Sequence, residues 1–122
     1  MIEKMIEPES TVTLFRPVGP KELELLRQNG FARWPPRLPE QPIFYPVTNE
    51  RYAIEIATKW NIKDSGYGAV TRFKVKASFM AQYEIQKVGG RHHTEWWIPS
   101  ERLEELNDNL VGFIEVIHEF WA

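Results

Sequence analysis

Residues 89 to 97, GGRHHTEWW, bring two glycines, adjacent histidines, one acid and two tryptophans into a short stretch. Side chains alternate along an extended strand, so His93, Glu95 and Trp97 share one face while Thr94, Trp96 and Ile98 take the other. If the first face lines a cleft, Glu95 can accept a hydrogen bond from a ligand hydroxyl or stabilise a developing cation, with Trp97 as an apolar wall. The commoner situation for such an acid is simple exposure beside partly buried rings. A metal is the other chemistry that two histidines and an acid suggest. On a strand, however, His92 and His93 point to opposite faces, so only His93 and Glu95 converge and a third ligand such as His118 would have to come from elsewhere. The set is incomplete, and no metal is expected.

A second candidate is Arg16, in TVTLFRPV. Val12, Leu14 and Arg16 fall on one face of this predicted strand, which puts a guanidinium at the inner end of an apolar row. Its planar fork suits a phosphate or a carboxylate, and the commoner situation for such a residue is an internal ion pair with one of the 17 acids. Stacking surfaces for a flat ligand ring are offered by Phe44, Tyr45, Tyr52, Trp60 and Tyr67. Trp60 and Ile56 are expected on the inner face of a helix, as core.

The elements that must position these groups follow from pattern. The first ten residues read as a lead-in, with acids running through what would otherwise be an apolar signal core. After the strand at 11–18, GPKELELLRQNG predicts a short helix with Pro20 in its first turn, Leu23 and Leu26 inward and Gly30 at its stop. Five prolines between residues 35 and 46 make 31–47 a stiffened loop, ending in a short strand at 43–45. TNERYAIEIATKWN has Ala53, Ile56, Ala57 and Trp60 at helical spacing, with Thr48 as its cap. Strands are expected at AVTRFKVK, YEIQKV and HTEWWI. A third helix follows at SERLEELNDNL behind Ser100, and GFIEVIHEF closes as a strand. The order βαβαβββαβ, with strands gathered in the second half, predicts an α+β fold: one domain over 1–122, a split and mostly antiparallel sheet, and about three helices.

Composition excludes several classes. The 122 residues suffice for one core without disulfides, and 15 basic against 17 acidic residues leave no Lys/Arg stripe to follow a phosphate backbone. Zero cysteines exclude thiolate catalysis and cysteine zinc sites. No run of eighteen apolar residues is present, so the expected location is the cytoplasm, away from membranes. Neither a G-x-G-x-x-G, a P-loop, an H-E-x-x-H nor a G-x-S-x-G motif occurs.

Four stretches together, TLFRPVGPKELELL, WPPRLPEQPIFYPV, GYGAVTRFKV and VGGRHHTEWWIPSERLEELNDNLVGFIEVI, resemble a family of small bacterial proteins of about 120 residues, often labelled as ADP-ribosylation or J-crystallin related. The order of features is similar to compact ADP-ribosyltransferase-like domains, in which an early strand carries an Arg or His, aromatic residues flank nicotinamide, and a late strand carries a catalytic Glu. The resemblance implies an NAD-binding cleft that performs ADP-ribosyl transfer or NAD glycohydrolysis. Arg16 would contact the nucleotide phosphate or ribose, Tyr45 or Tyr52 would pack beside nicotinamide, Glu95 would hold the ribose hydroxyl, and His93 would assist it. Transferases that modify protein side chains often carry Gln or Glu where this chain has His93. That departure points to another acceptor, nucleic acid or a small molecule, or to water. A reading of a different class is a non-catalytic interaction module that presents Trp34 and Phe44 from loop 31–47 to a protein partner.

Overall fold

The alternation in TVTLFRPV becomes strand β1, Thr11–Val18, with Leu14, Arg16 and Val18 buried on one side. The computed structural model describes residues 10–122, so the expected lead-in lies, apart from Ser10, outside the described residues. Helix α1, Pro20–Gln28, starts on proline at a position where a missing N–H costs nothing, and buries Leu23 and Leu26. Strand β3, Tyr67–Lys76, runs antiparallel to β1 and is paired on its other edge with the closing strand β7, Leu110–Trp121. In the order β1-β3-β7, β3 is central. Its residues 68–71 are all buried, because both faces are covered there.

Beyond β1 the sheet narrows to a single residue. Val47 exchanges two backbone hydrogen bonds with Phe15, of 3.0 and 2.7 Å, and bridges on its far side to Glu95. The next pair is β5, Thr94–Trp96, with β4, Ile85–Lys87. These antiparallel strands thus form two ladders joined at Val47. A small second sheet pairs β2, Ile43–Phe44, with β6, Ile98–Pro99. With its helices and antiparallel ladders the fold is α+β.

One face of the sheet carries the larger core, where Leu14 and Val18 meet Leu23, Leu26, Trp34, Phe44 and Phe73. The last helix, Leu103–Asp108, adds Leu103 and Leu106 to it; Ser100 opens a preceding 3₁₀ turn and gives no side-chain cap. The other face holds a smaller cluster of Val47, Ala53, Ala57 and Val70 beneath helix α2, Glu50–Ile56. Asn49, and not Thr48, caps α2, its side-chain oxygen accepting from Tyr52 N at 2.7 Å.

The helix continues through a π turn, Ala57–Asn61, into Ile62–Ser65. This overturns the expected place of Trp60. In a wider turn each residue advances less around the axis, so Trp60 swings off the buried face and is 66% exposed. Ile56 packs only at the edge of the smaller cluster. The buried side of the turn is small because strand and helix nearly touch. A Cβ at Gly68 would lie 2.8 Å from both Ala57 O and Asn61 Cβ. Among the described residues no helix is long and apolar enough to cross a membrane.

Candidate functional site

Helix α2 and the π turn that continues it present Tyr52, Glu55 and Lys59 on one side, and with Ile56, Trp60 and His93 they line a cavity of about 310 Å³. The facing wall is the turn before β5. His93 N donates to Gly90 O at 3.0 Å, Val88 N to His93 O at 2.9 Å, and Gly90 N to the His93 ring at Nδ1, 2.8 Å. A Cβ on Gly89 would fall 2.6 Å from that same Nδ1, so a side chain there would displace the His93 ring. Asn49 ties the turn to the helix. Its Nδ2 donates to His92 O at 2.7 Å while its Oδ1 caps α2, and Thr48 and Thr94 are hydrogen-bonded through their hydroxyls.

This arrangement corrects the sequence reading of the histidines. His92 and His93 lie in the turn and precede the strand, so strand alternation does not apply to them, and both rings reach the same carboxylate. His92 Nε2 is 2.6 Å from Glu55 Oε2, and His93 Nε2 is 2.9 Å from Glu55 Oε1. Because Nδ1 of His93 accepts from Gly90, its neutral ring carries the proton on Nε2 and donates to Glu55. These bonds, that from His92 first, hold the Glu55 carboxyl down at about 2, against the opposing effect of burial. Arg51 stands 3.6 Å from Glu55 Oε2 on the exposed side. His118 is not a third member. It faces Glu50 at 2.6 Å.

Glu95 belongs to the same neighbourhood through Tyr52. The Tyr52 hydroxyl donates to Glu95 Oε1 at 3.1 Å, and Trp97 Nε1 donates to Oε2 at 2.7 Å. The Tyr52 ring packs on His93 with centroids 4.8 Å apart. Burial, then the charge of Glu95 and its hydrogen bond, push the Tyr52 phenol up to about 12. Tyr52, His93 and Glu95 are thus brought together, with Tyr52 as the link. His93 turns to Glu55 and makes no hydrogen bond with Glu95.

Arg16 and Tyr45 are elsewhere. The Arg16 guanidinium is clamped by Glu22, Nε to Oε2 at 2.9 Å and the second terminal nitrogen to Oε1 at 3.0 Å, with a third bond to Tyr45 O at 3.3 Å. It lies 4.6 Å from the Phe44 ring centroid and 5.7 Å from that of Trp34. The side-chain partners of Arg16 are Glu22, Tyr45, Phe44 and Trp34, whereas those of Glu95 are Tyr52 and Trp97. Tyr45 supplies its carbonyl to Arg16 and leaves its ring exposed.

The side chains assigned to the interaction reading are also relocated. Trp34 is 1% and Phe44 0% exposed. Asn107 fixes the loop by accepting from Trp34 N at 2.8 Å and donating to Trp34 O at 3.0 Å, which carries the Trp34 ring inward. The large hydrophobic side chains the loop does expose are Leu38 and Tyr45.

Sequence reasoning missed Glu55. Its signal was the polar i, i+3, i+7 series Tyr52, Glu55, Lys59 on a helix already expected. No protein-family model matches this chain, and no curated protein matches it significantly.

Proposed function

We propose that the cavity between α2 and the histidine turn binds a nucleotide of the NAD type, and that Glu95 serves cleavage of its glycosidic bond. The observation that carries this reading is the hydroxyl of Tyr52, which joins Glu95 to a ring packed at a tilt against His93. Trp60 and Tyr52 offer aromatic surface to a base, and Lys59 supplies a cation for phosphate in the place first expected of Arg16. An ionised carboxylate has about four acceptor positions, and Glu95 uses one on each oxygen, so it can also take a ribose hydroxyl. Glu95 stands one hydrogen bond behind the cavity wall. Tyr52 has to swing aside for the ribose to meet it, which breaks the 3.1 Å bond.

In the reaction the C1′–N bond breaks, nicotinamide leaves with the bonding pair, and the negative Glu95 stabilises the oxocarbenium character at C1′. The acceptor, water or a nucleophile on a small molecule or nucleic acid, then bonds to C1′ and gives up its proton. Titration with NAD, followed by tryptophan fluorescence and calorimetry, is the test. Saturable quenching is expected, weakened by Lys59→Ala, with nicotinamide release abolished and binding kept in Glu95→Gln. Calorimetric silence with NAD would defeat the reading, and release undiminished in Glu95→Gln would remove that residue from the chemistry.

A further inference from the structure

Glu55, His92 and His93 form a group to which the nucleotide reading gives no chemical step, although Glu55 and His93 line the same cavity. Their ligand-type atoms all lie within 4.8 Å of one another, they are half-buried, and they come from two elements locked together by Asn49. We propose that these three side chains bind a divalent transition metal of the zinc class, through Nε2 of His92, Nε2 of His93 and a carboxylate oxygen of Glu55.

Two imidazoles and one carboxylate are a donor set that suits zinc, and a site open on one side leaves a fourth position for water. The restraint on the backbone is largely in place before any ion arrives. Asn49 holds the His92 carbonyl, and the Val88–His93 and His93–Gly90 bonds fix the turn. Binding replaces two hydrogen bonds to one carboxylate by three bonds to the ion, so the protons on the two Nε2 atoms must leave. His93 has a further adjustment to make. With Nε2 on the metal its ring proton moves to Nδ1, which can no longer accept from Gly90 N, so the 2.8 Å bond breaks and the turn at 89–90 shifts. The Arg51 and Lys59 cations oppose a dication, which limits affinity.

The experiment uses the full chain, stripped with chelator, and zinc chloride or cobalt chloride alone, so that its failure is independent of NAD binding. The expected results are one equivalent of zinc by calorimetry, a rise in melting temperature, and cobalt absorption bands of a low-coordinate site. Glu55→Gln and His92→Ala should each weaken binding at least about tenfold. His118→Ala, which removes the separate Glu50 pair, should not. In a spectrum of backbone amides, Gly90 should shift on zinc addition. Absence of stoichiometric binding by the wild-type chain overturns the proposal whatever the variants do. So does binding that survives in folded Glu55→Gln, or that is lost in His118→Ala.

Discussion

Arg16 shows how much of a residue's meaning lies in its partners. Its type and place at the end of an inward row were legible in TVTLFRPV, but Glu22, six residues on in the next helix, decides what it does. Arg16→Ala leaves the half-buried Glu22 without its partner and removes the cation from the Phe44 face. The expected cost is about 2–3 kcal/mol in urea unfolding, the lower side for breaking a buried pair because Glu22 keeps some contact with water. NAD affinity should not change. A large loss of NAD affinity in a stable Arg16→Ala protein would bring the residue back to the site.

Tyr52 and Tyr67 give a second expectation. Burial raises both phenols to about 12, helped by Glu95 in one case and by a 2.6 Å bond to Glu119 in the other. A phenol raised in the folded state contributes stability in full below its unfolded value near 10, and that contribution is lost as pH climbs from about 10 to 12. Ultraviolet titration of the folded protein should show late-ionising tyrosinates, and Tyr67→Phe should remove one while flattening the alkaline loss of stability. The histidines teach the opposite lesson to Arg16. Treating HHTEWWI as one strand sent them apart, whereas a turn carrying Gly89 and Gly90 brings both to Glu55, and nothing local in the sequence sets where that turn ends.

At the scale of elements, alternation and helical spacing located the long strands and both main helices, since one-sided burial leaves a period in the sequence. The π turn left no such trace. It packs on β3 over Gly68, where Ala57 and Asn61 come so close that the contact depends on the missing side chain. Gly68→Ala should therefore force helix and strand apart, at a cost of about 1–3 kcal/mol, and lower the melting temperature. A melting temperature equal to that of the wild type would mean that the contact relaxes freely. The proline loop was legible as a loop but not as a lid on the core. Its inward turn is made by Asn107, more than seventy residues away, and a polar residue near the end of a helix does not announce that role.

For the whole molecule, the α+β class followed from element order, while the pairing of β1 with β3 and the one-residue bridge at Val47 needed three dimensions. That topology also governs how the chain reaches its native state. Val18 meets Ala69 and Thr11 meets Lys76, so the first strand waits for one made more than fifty residues later, and β3 must find β7 as well. Each pairing closes a long loop before any ladder bond repays the lost entropy. Helices α1 and α2 can flicker into existence within microseconds, yet the sheet that gives them a surface cannot, and folding belongs in the millisecond-to-second range of proteins dominated by distant contacts. The histidine turn and α2 are joined through Asn49 and His92, more than forty residues apart, a closure of the same kind, so the site is assembled among the last parts of the molecule.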